Sequence, residues 1–182
     1  MITVGIDPGK QGSAVILYDD KSLSFFDLSD CYDKTGAAQV SMNPLIFGKW
    51  VFRALGGRSD DVLVCCEKPI FIGGITVKTP MSMFESYGVI RSVCSCAGFI
   101  FGGVDPKDWI RYYPDLWHPR EKRVKEESVD KAIELFPEYR DVFKGKIEKG
   151  RSKGNVIVYD GRAEAALIAN YARNNSSLFN QS

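Results

Sequence analysis

Ile2, Val4 and Ile6 alternate with Thr3 and Gly5, and this apolar run closes on Asp7-Pro8-Gly9. Such a run ending in turn residues predicts a strand entering a tight reversal. Pro8 keeps Asp7 extended, and Gly9 lets the chain turn back. The strand should be central in a sheet, with the Asp7 carboxylate held on rigid backbone at one edge. Taken alone, the stretch leaves two readings open: Asp7 as a metal ligand, or Asp7 capping its own turn.

A second stretch repeats the arrangement. Val62-Leu-Val-Cys-Cys66 is short and continuously apolar, as expected of a strand buried on both faces, and it ends on Glu67 with Pro69 close behind. If this strand lies parallel to the first, Glu67 stands beside Asp7 at the same sheet edge; the other reading is a solvated glutamate at a strand end. A third acidic place opens the final helix, where Asp160 and Glu164 lie four residues apart and therefore on one side. Asp160 also suits an N-cap and Glu164 suits a helix N-terminus, so this pair by itself requires no chemistry.

Between these places the pattern gives an α/β order. Ser13–Tyr18 and Leu23–Leu28 are strands joined by an Asp19-Asp-Lys-Ser hairpin turn, completing a three-strand meander. Pro44–Leu55 has helical spacing, and Gly56-Gly57 stops it. Pro80–Ala97 is a helix with Met83, Tyr87, Ile90, Cys94 and Ala97 in one stripe; its other side, with Glu85, Gly88, Ser92 and Ser95, suits either close approach of a second copy or a plain exposed face. Phe99–Val104 is a strand, Asp105–Trp109 a short capped turn and Pro119–Leu135 a helix. Asn155–Tyr159 is a last strand, and 160–172 the final helix. One domain over residues 1–173 and a frayed tail over 174–182 account for the 182 residues.

Composition narrows the function classes. The chain is 45% hydrophobic and 26% charged, ordinary for a soluble globular protein, and no apolar run reaches ~20 residues, so no membrane span is expected. No secretory signal is evident, and the expected location is cytoplasmic. Cys31, Cys65, Cys66, Cys94 and Cys96 lack zinc-type spacing and read as buried reduced thiols in a reducing compartment. The net charge of +1 says little, but its distribution does more: Lys144–Lys153 holds five cations and one anion, and Lys107–Lys125 a further six cations. Such clusters suit phosphates and are also common in solvated loops.

Carboxylates from three separate places are what hard divalent cations require, since Mg²⁺ takes one or two carboxylates together with phosphate oxygens and waters. Two such ions ~4 Å apart can activate a water and stabilise the departing oxygen of an in-line phosphoryl displacement. The meander, helix and fourth strand, with acids on strands one and four and on a late helix, resemble the ribonuclease H-like nucleases. Gly5-Ile-Asp-Pro-Gly9, the strand ending in Glu67, Lys125-Glu-Glu-Ser128 leading to Pro137, and Asp160-Gly-Arg-Ala-Glu164 continuing to Ala169 resemble the RuvC Holliday-junction resolvases, in particular phage-type members.

The resemblance implies a ribonuclease H-like fold with a mixed five-stranded sheet, the meander plus parallel strands, flanked by helices. It implies a homodimer that nicks four-way or branched DNA symmetrically with two Mg²⁺, or Mn²⁺, per site, and no nucleotide cofactor. Asp7, Glu67, Asp160 and Glu164 would then be ligands and Lys125 a contact to the scissile phosphate. Phe71 occupies the region of a junction wedge, and Lys107, Lys122, Arg123, Lys146, Arg151 and Lys153 would contact DNA. The final helix departs from the bacterial housekeeping pattern, because its acids are four rather than three residues apart; Asp160 could be only a cap. The Gly73-Gly74 loop also differs.

Two other classes share features. Actin-like ATPases and sugar kinases open with a similar Gly-Ile-Asp-x-Gly turn, but they need a second related domain for which 182 residues leave no room. A junction-binding protein without catalysis would gain nothing from carboxylates that repel phosphate. His118 lies away from the final helix in sequence and reads as structural.

Overall fold

Every side chain of β1 (Ile2–Ile6), β2 (Ser13–Leu17) and residues 62–66 is buried, so these strands must be covered on both faces. The computed structural model, which describes residues 1–32, 41–58, 61–70, 78–118, 125–146 and 156–179, shows how. The order continues from β2 through β3 (Leu23–Asp27), α1 (Pro44–Leu55), β4 (Val62–Glu67), α2 (Lys78–Cys96), β5 (Ile100–Val104) and α3 (Pro106–Tyr112). It ends with α4 (Lys125–Leu135), α5 (Arg140–Phe143), β6 (Lys144–Lys146), β7 (Val156–Val158) and α6 (Asp160–Asn174).

The main sheet has the order β3-β2-β1-β4-β5, with β1 to β3 an antiparallel meander and β1, β4 and β5 parallel. This is the mixed five-stranded architecture expected from the sequence. Pleating divides the side chains between two cores. Ile2, Val4, Ile6, Val62, Val64 and Cys66 face the layer of α1 and α2. On the other face Leu63 and Cys65 pack with residues of α3, α4 and α6.

Local chemistry explains the helix limits. Asn43 caps α1 through its side chain, Pro44 opens it, and Gly56 in the left-handed region ends it. Asp105 accepts from the Lys107 N–H at 2.9 Å, and Pro106 occupies the first turn of α3.

Three expectations need correction. Val156–Val158 does form a strand, but it pairs antiparallel with β6 in a separate two-stranded ribbon, and β6 falls where a basic loop was expected. Pairing across that gap is non-local, so no turn signal announces it. Cys96 is exposed, while Cys31, Cys65, Cys66 and Cys94 are buried. It follows Cys94 by two positions near the end of α2, which turns it off the buried stripe. Finally, Tyr159 holds the N-cap position of α6 and Asp160 is its first helical residue, with no side-chain cap bond at Tyr159. Beyond α6, Ser176–Leu178 forms a 3-10 turn, and the Phe179 ring lies against Gly102 of β5, where a Cβ would meet it at 2.0 Å.

Candidate active site

The site begins with register. Ile6 pairs with Cys66 across the parallel β1–β4 ladder, so Asp7 and Glu67 are the next residues at neighbouring strand ends. Parallel strands run about 4.8 Å apart, which sets the spacing of the two backbones. Two-residue alternation then fixes the face. Leu63 and Cys65 point into the α6-side core, so Glu67 follows them; Thr3 and Gly5 bring Asp7 to the same side. The turn after Asp7 is stiff: Asp7 donates its N–H to Ser13 O at 3.0 Å, and the Gly9 N–H donates to Asp7 Oδ1 at 3.1 Å.

The final helix reaches this corner because two glycines let it. A Cβ on Gly5 would lie 2.0 Å from Ala165 O and 2.2 Å from Ala169 N, so α6 rests directly on β1. A Cβ on Gly161 would lie 2.8 Å from Gln11 O, which seats the first turn of α6 against the loop after Asp7. Glu164 precedes Ala165, and Gly5 precedes Asp7 by two residues. The helix therefore delivers Glu164 to the end of the sheet that carries Asp7 and Glu67. Asp160, one turn earlier, borders a hollow of about 430 Å³ shared with Gln11, Asp27, Tyr159 and Arg162.

Neighbours hold the acids in place. Trp109, fully buried on α3, donates its indole N–H to Glu67 Oε2 at 2.6 Å. Ser128, fully buried on α4, donates to Glu164 Oε1 at 3.3 Å. Arg162 grips Asp27 at the end of β3 with two bonds, Nε to Oδ1 at 2.8 Å and Nη2 to Oδ2 at 2.5 Å. It also donates to Val142 O at 3.2 Å and stacks 4.4 Å above the Tyr159 ring. The Ser13 hydroxyl adds a bond to Asp27 Oδ1 at 3.0 Å. Hydrogen bonding from Arg162 holds the Asp27 carboxyl below its ordinary pKa, outweighing the opposing effect of burial.

The carboxylates leave a mark on the sheet behind them. Burial, above all, pushes the Cys65 thiol up to about 12, and Glu67 adds to it. Cys66 is held well above the ordinary thiol value by burial, then by Cys65 and Cys94, then by Asp7 and Glu67. Both thiols stay protonated at neutral pH and take no part in nucleophilic chemistry.

Asp7, Glu67 and Glu164 are thus brought to one end of the sheet, and Asp160 to its margin. Among the described residues, no three His, Cys, Asp or Glu side chains close into a preformed cage. The donor chemistry nevertheless fits a hard divalent cation: every candidate is a carboxylate, on three elements, with two held from behind by buried N–H and O–H donors. An open set suits Mg²⁺, which keeps waters and phosphate oxygens in its shell. Among the described residues the acids at this corner are joined by no histidine or thiolate, the donors a zinc site prefers.

The cationic candidates are less uniformly placed. Lys125 opens α4 three residues before Ser128, and Lys146 ends β6. Lys107 is exposed in the first turn of α3, three residues after β5 ends at the level of Glu67. Phe71, Lys122, Arg123, Arg151 and Lys153 lie outside the described residues. His118 pairs with Glu127 of α4 at 3.3 Å and is partly exposed. Sequence reading missed Trp109, Ser128 and the Asp27–Arg162 pair. The signal for Arg162 was its place between two acids on one helix turn; for Trp109, a capped turn immediately after a strand.

No protein-family model matches the chain. No curated protein matches it in sequence. Solved structures do. The chain is similar to T. thermophilus RuvC in complex with a Holliday junction substrate, with TM-score 0.54 and 15% identity over 97% of this chain and 98% of that one. It has the RuvC fold. Similarity to the yeast mitochondrial Holliday junction resolvase Ydc2 follows, with TM-score 0.50 and 14% identity over 98% of this chain and 83% of that one. At such identities the likeness is one of fold, the ribonuclease H-like arrangement with RuvC topology.

Proposed function

We propose that this chain is a divalent-metal-dependent endonuclease that resolves four-way or branched DNA junctions. The observation that carries the reading is the meeting of Asp7 and Glu67 at adjacent parallel strand ends, on the face where α6 sets Glu164. The RuvC fold of the whole chain supports it.

Asp7, Glu67 and Glu164 would hold the metal, with Asp160 a fourth donor at the margin. Bound there, two Mg²⁺ or Mn²⁺ ions would supply an activated water and charge neutralisation for the departing oxygen. The protein's own part is to fix the acids. Sheet register sets Asp7 beside Glu67, and the Gly5 contact sets Glu164 over β1. Trp109 and Ser128 restrict carboxylate rotation. Lys125 is the candidate contact to the scissile phosphate. Water adds to phosphorus, the P–O3′ bond breaks, and a 5′-phosphate and a 3′-hydroxyl remain.

The DNA would be held by the cations. Lys107 stands at the same sheet end, and Lys122, Arg123, Lys146, Arg151 and Lys153 are the further candidates; phosphate contacts of this kind position a duplex without reading its bases. Phe71, which follows the Glu67 strand closely, is the candidate wedge. Paired symmetric nicks require two active sites, hence a homodimer. The test is to incubate the protein with four-way, three-way, flap and linear duplex DNA, with and without Mg²⁺. Cleavage confined to branched substrates and dependent on the metal is expected. No cleavage of any branched DNA with Mg²⁺ or Mn²⁺ present sinks the proposal.

A further inference from the structure

Trp109 is one of the largest fully buried side chains among the described residues, and it is polar at one atom only. An indole N–H can donate but not accept, so burying it demands an acceptor. The acceptor found is Glu67 Oε2, at 2.6 Å, a short bond of the charge-assisted kind. The donor comes from α3, a helix fixed at its start by Asp105 and Pro106 directly after β5, whose Val104 pairs with Glu67. Glu67 is therefore gripped twice by the same neighbouring unit, through backbone pairing with β5 and through the indole on the helix that follows it.

We propose that Trp109 is a positioning residue: its N–H holds one Glu67 oxygen so that the carboxylate meets a divalent ion in a single orientation. The inference rests on the metal-site reading given above. Groups that orient ligands commonly change metal affinity or activity by ~10–100-fold when removed. A phenyl ring keeps much of the apolar packing but loses the pyrrole half of the indole with its donor, so the thermal midpoint of Trp109→Phe is read beside its Mg²⁺ midpoint to separate the cavity from the hydrogen bond. Trp50 is an internal control, since it stacks on Phe26 at 4.9 Å on the opposite face of the sheet.

The experiment uses the full chain labelled with ¹⁵N at the tryptophan indoles, each resonance assigned by single Trp-to-Phe substitution, and titrated with Mg²⁺ and then Mn²⁺. The Trp109 N–H should shift with Mg²⁺ and broaden at lower paramagnetic Mn²⁺ than Trp50 does. In parallel, Trp109→Phe should raise the Mg²⁺ concentration for half-maximal junction cleavage about tenfold and lower kcat, with KM for the junction unchanged. A merely structural role would lower the thermal midpoint and leave the Mg²⁺ midpoint where it was. If Mn²⁺ broadens Trp109 but the variant keeps the parental Mg²⁺ midpoint, the positioning role is overturned and the metal site stands. If Mn²⁺ spares Trp109, the metal site at Glu67 falls and the positioning role with it. Should Trp109→Phe not fold, the native protein decides: a Trp109 resonance unmoved by Mg²⁺ refutes the proposal.

Discussion

On the α1/α2 side of the sheet, β1 and β4 present Ile2, Val4, Ile6, Val62, Val64 and Cys66 to an apolar layer that includes the Phe26, Phe47 and Trp50 rings. On the α6 side the same two strands present Thr3, Gly5, Leu63 and Cys65 and then end on Asp7 and Glu67. The first face fills space with large side chains. The second gives up side-chain volume at Gly5 so that a helix can touch the strand, and it surrounds its acids with Trp109, Ser128 and Arg162. Packing alone suffices where nothing but cohesion is needed. Where carboxylates from distant segments must meet, backbone contact and directed hydrogen bonds replace bulk, because only they fix orientation as well as distance.

The largest effect that would sharpen this contrast is chemical. Asp7→Asn removes a charge from the α6 face and no volume, so folding and junction binding should persist while cleavage falls at least about 100-fold, about 2.7 kcal/mol on the barrier. Gel-shift and nicking assays on one mobile four-way junction measure both; cleavage at the parental rate would break the assignment. Next comes a pair of neighbouring substitutions on opposite faces. Gly5→Ala drives a methyl into the α6 backbone and should cost about 3 kcal/mol or more. Val4→Ala removes two methyl groups from a tightly packed layer and should cost about 2 kcal/mol. Urea unfolding gives both values. Gly5→Ala should also depress cleavage under conditions where it is folded, since it shifts Glu164 relative to Asp7; equal activity in the two variants would contradict the contact.

A smaller effect concerns acid. Because Arg162 depresses the Asp27 pKa in the folded state, this pair stabilises the fold above the unfolded aspartate value of about 3.9, and that contribution is lost as pH falls through the folded value. Asp27 is partly exposed, so the contribution is screened to the order of 1 kcal/mol or less. Asp27→Asn should therefore lower the thermal midpoint at pH 7 and narrow its gap to the parent below pH 4. An unchanged gap across that range would show that the pair is inert. The smallest expected effect separates the thiols: in native protein Ellman's reagent should react promptly with Cys96 alone, and with Cys31, Cys65, Cys66 and Cys94 only after unfolding. Two or more fast thiols would show that a buried layer opens readily, the α6 face if Cys65 reacts and the apolar face if Cys31, Cys66 or Cys94 does.

Much of this was legible in the chain as written. Alternation along residues 2–6, the short apolar run of 62–66 and the turn residues behind each fixed two buried strands ending in acids, since hydrophobic period and turn chemistry are local properties. Helical spacing likewise located α1 and α6. Tertiary structure decided the rest. The pairing of β6 with β7, the exposure of Cys96 at the end of α2, and the shift of the α6 cap to Tyr159 depend on contacts that no local pattern encodes. So do the partners of the acids: Trp109 is 42 residues from Glu67 and Ser128 is 36 from Glu164, joined only because parallel register and the Gly5 contact carry their elements to one end of the sheet. Sequence sets which residues have chemistry to offer; the close approach of backbone to backbone at Gly5 sets which of them can reach one another.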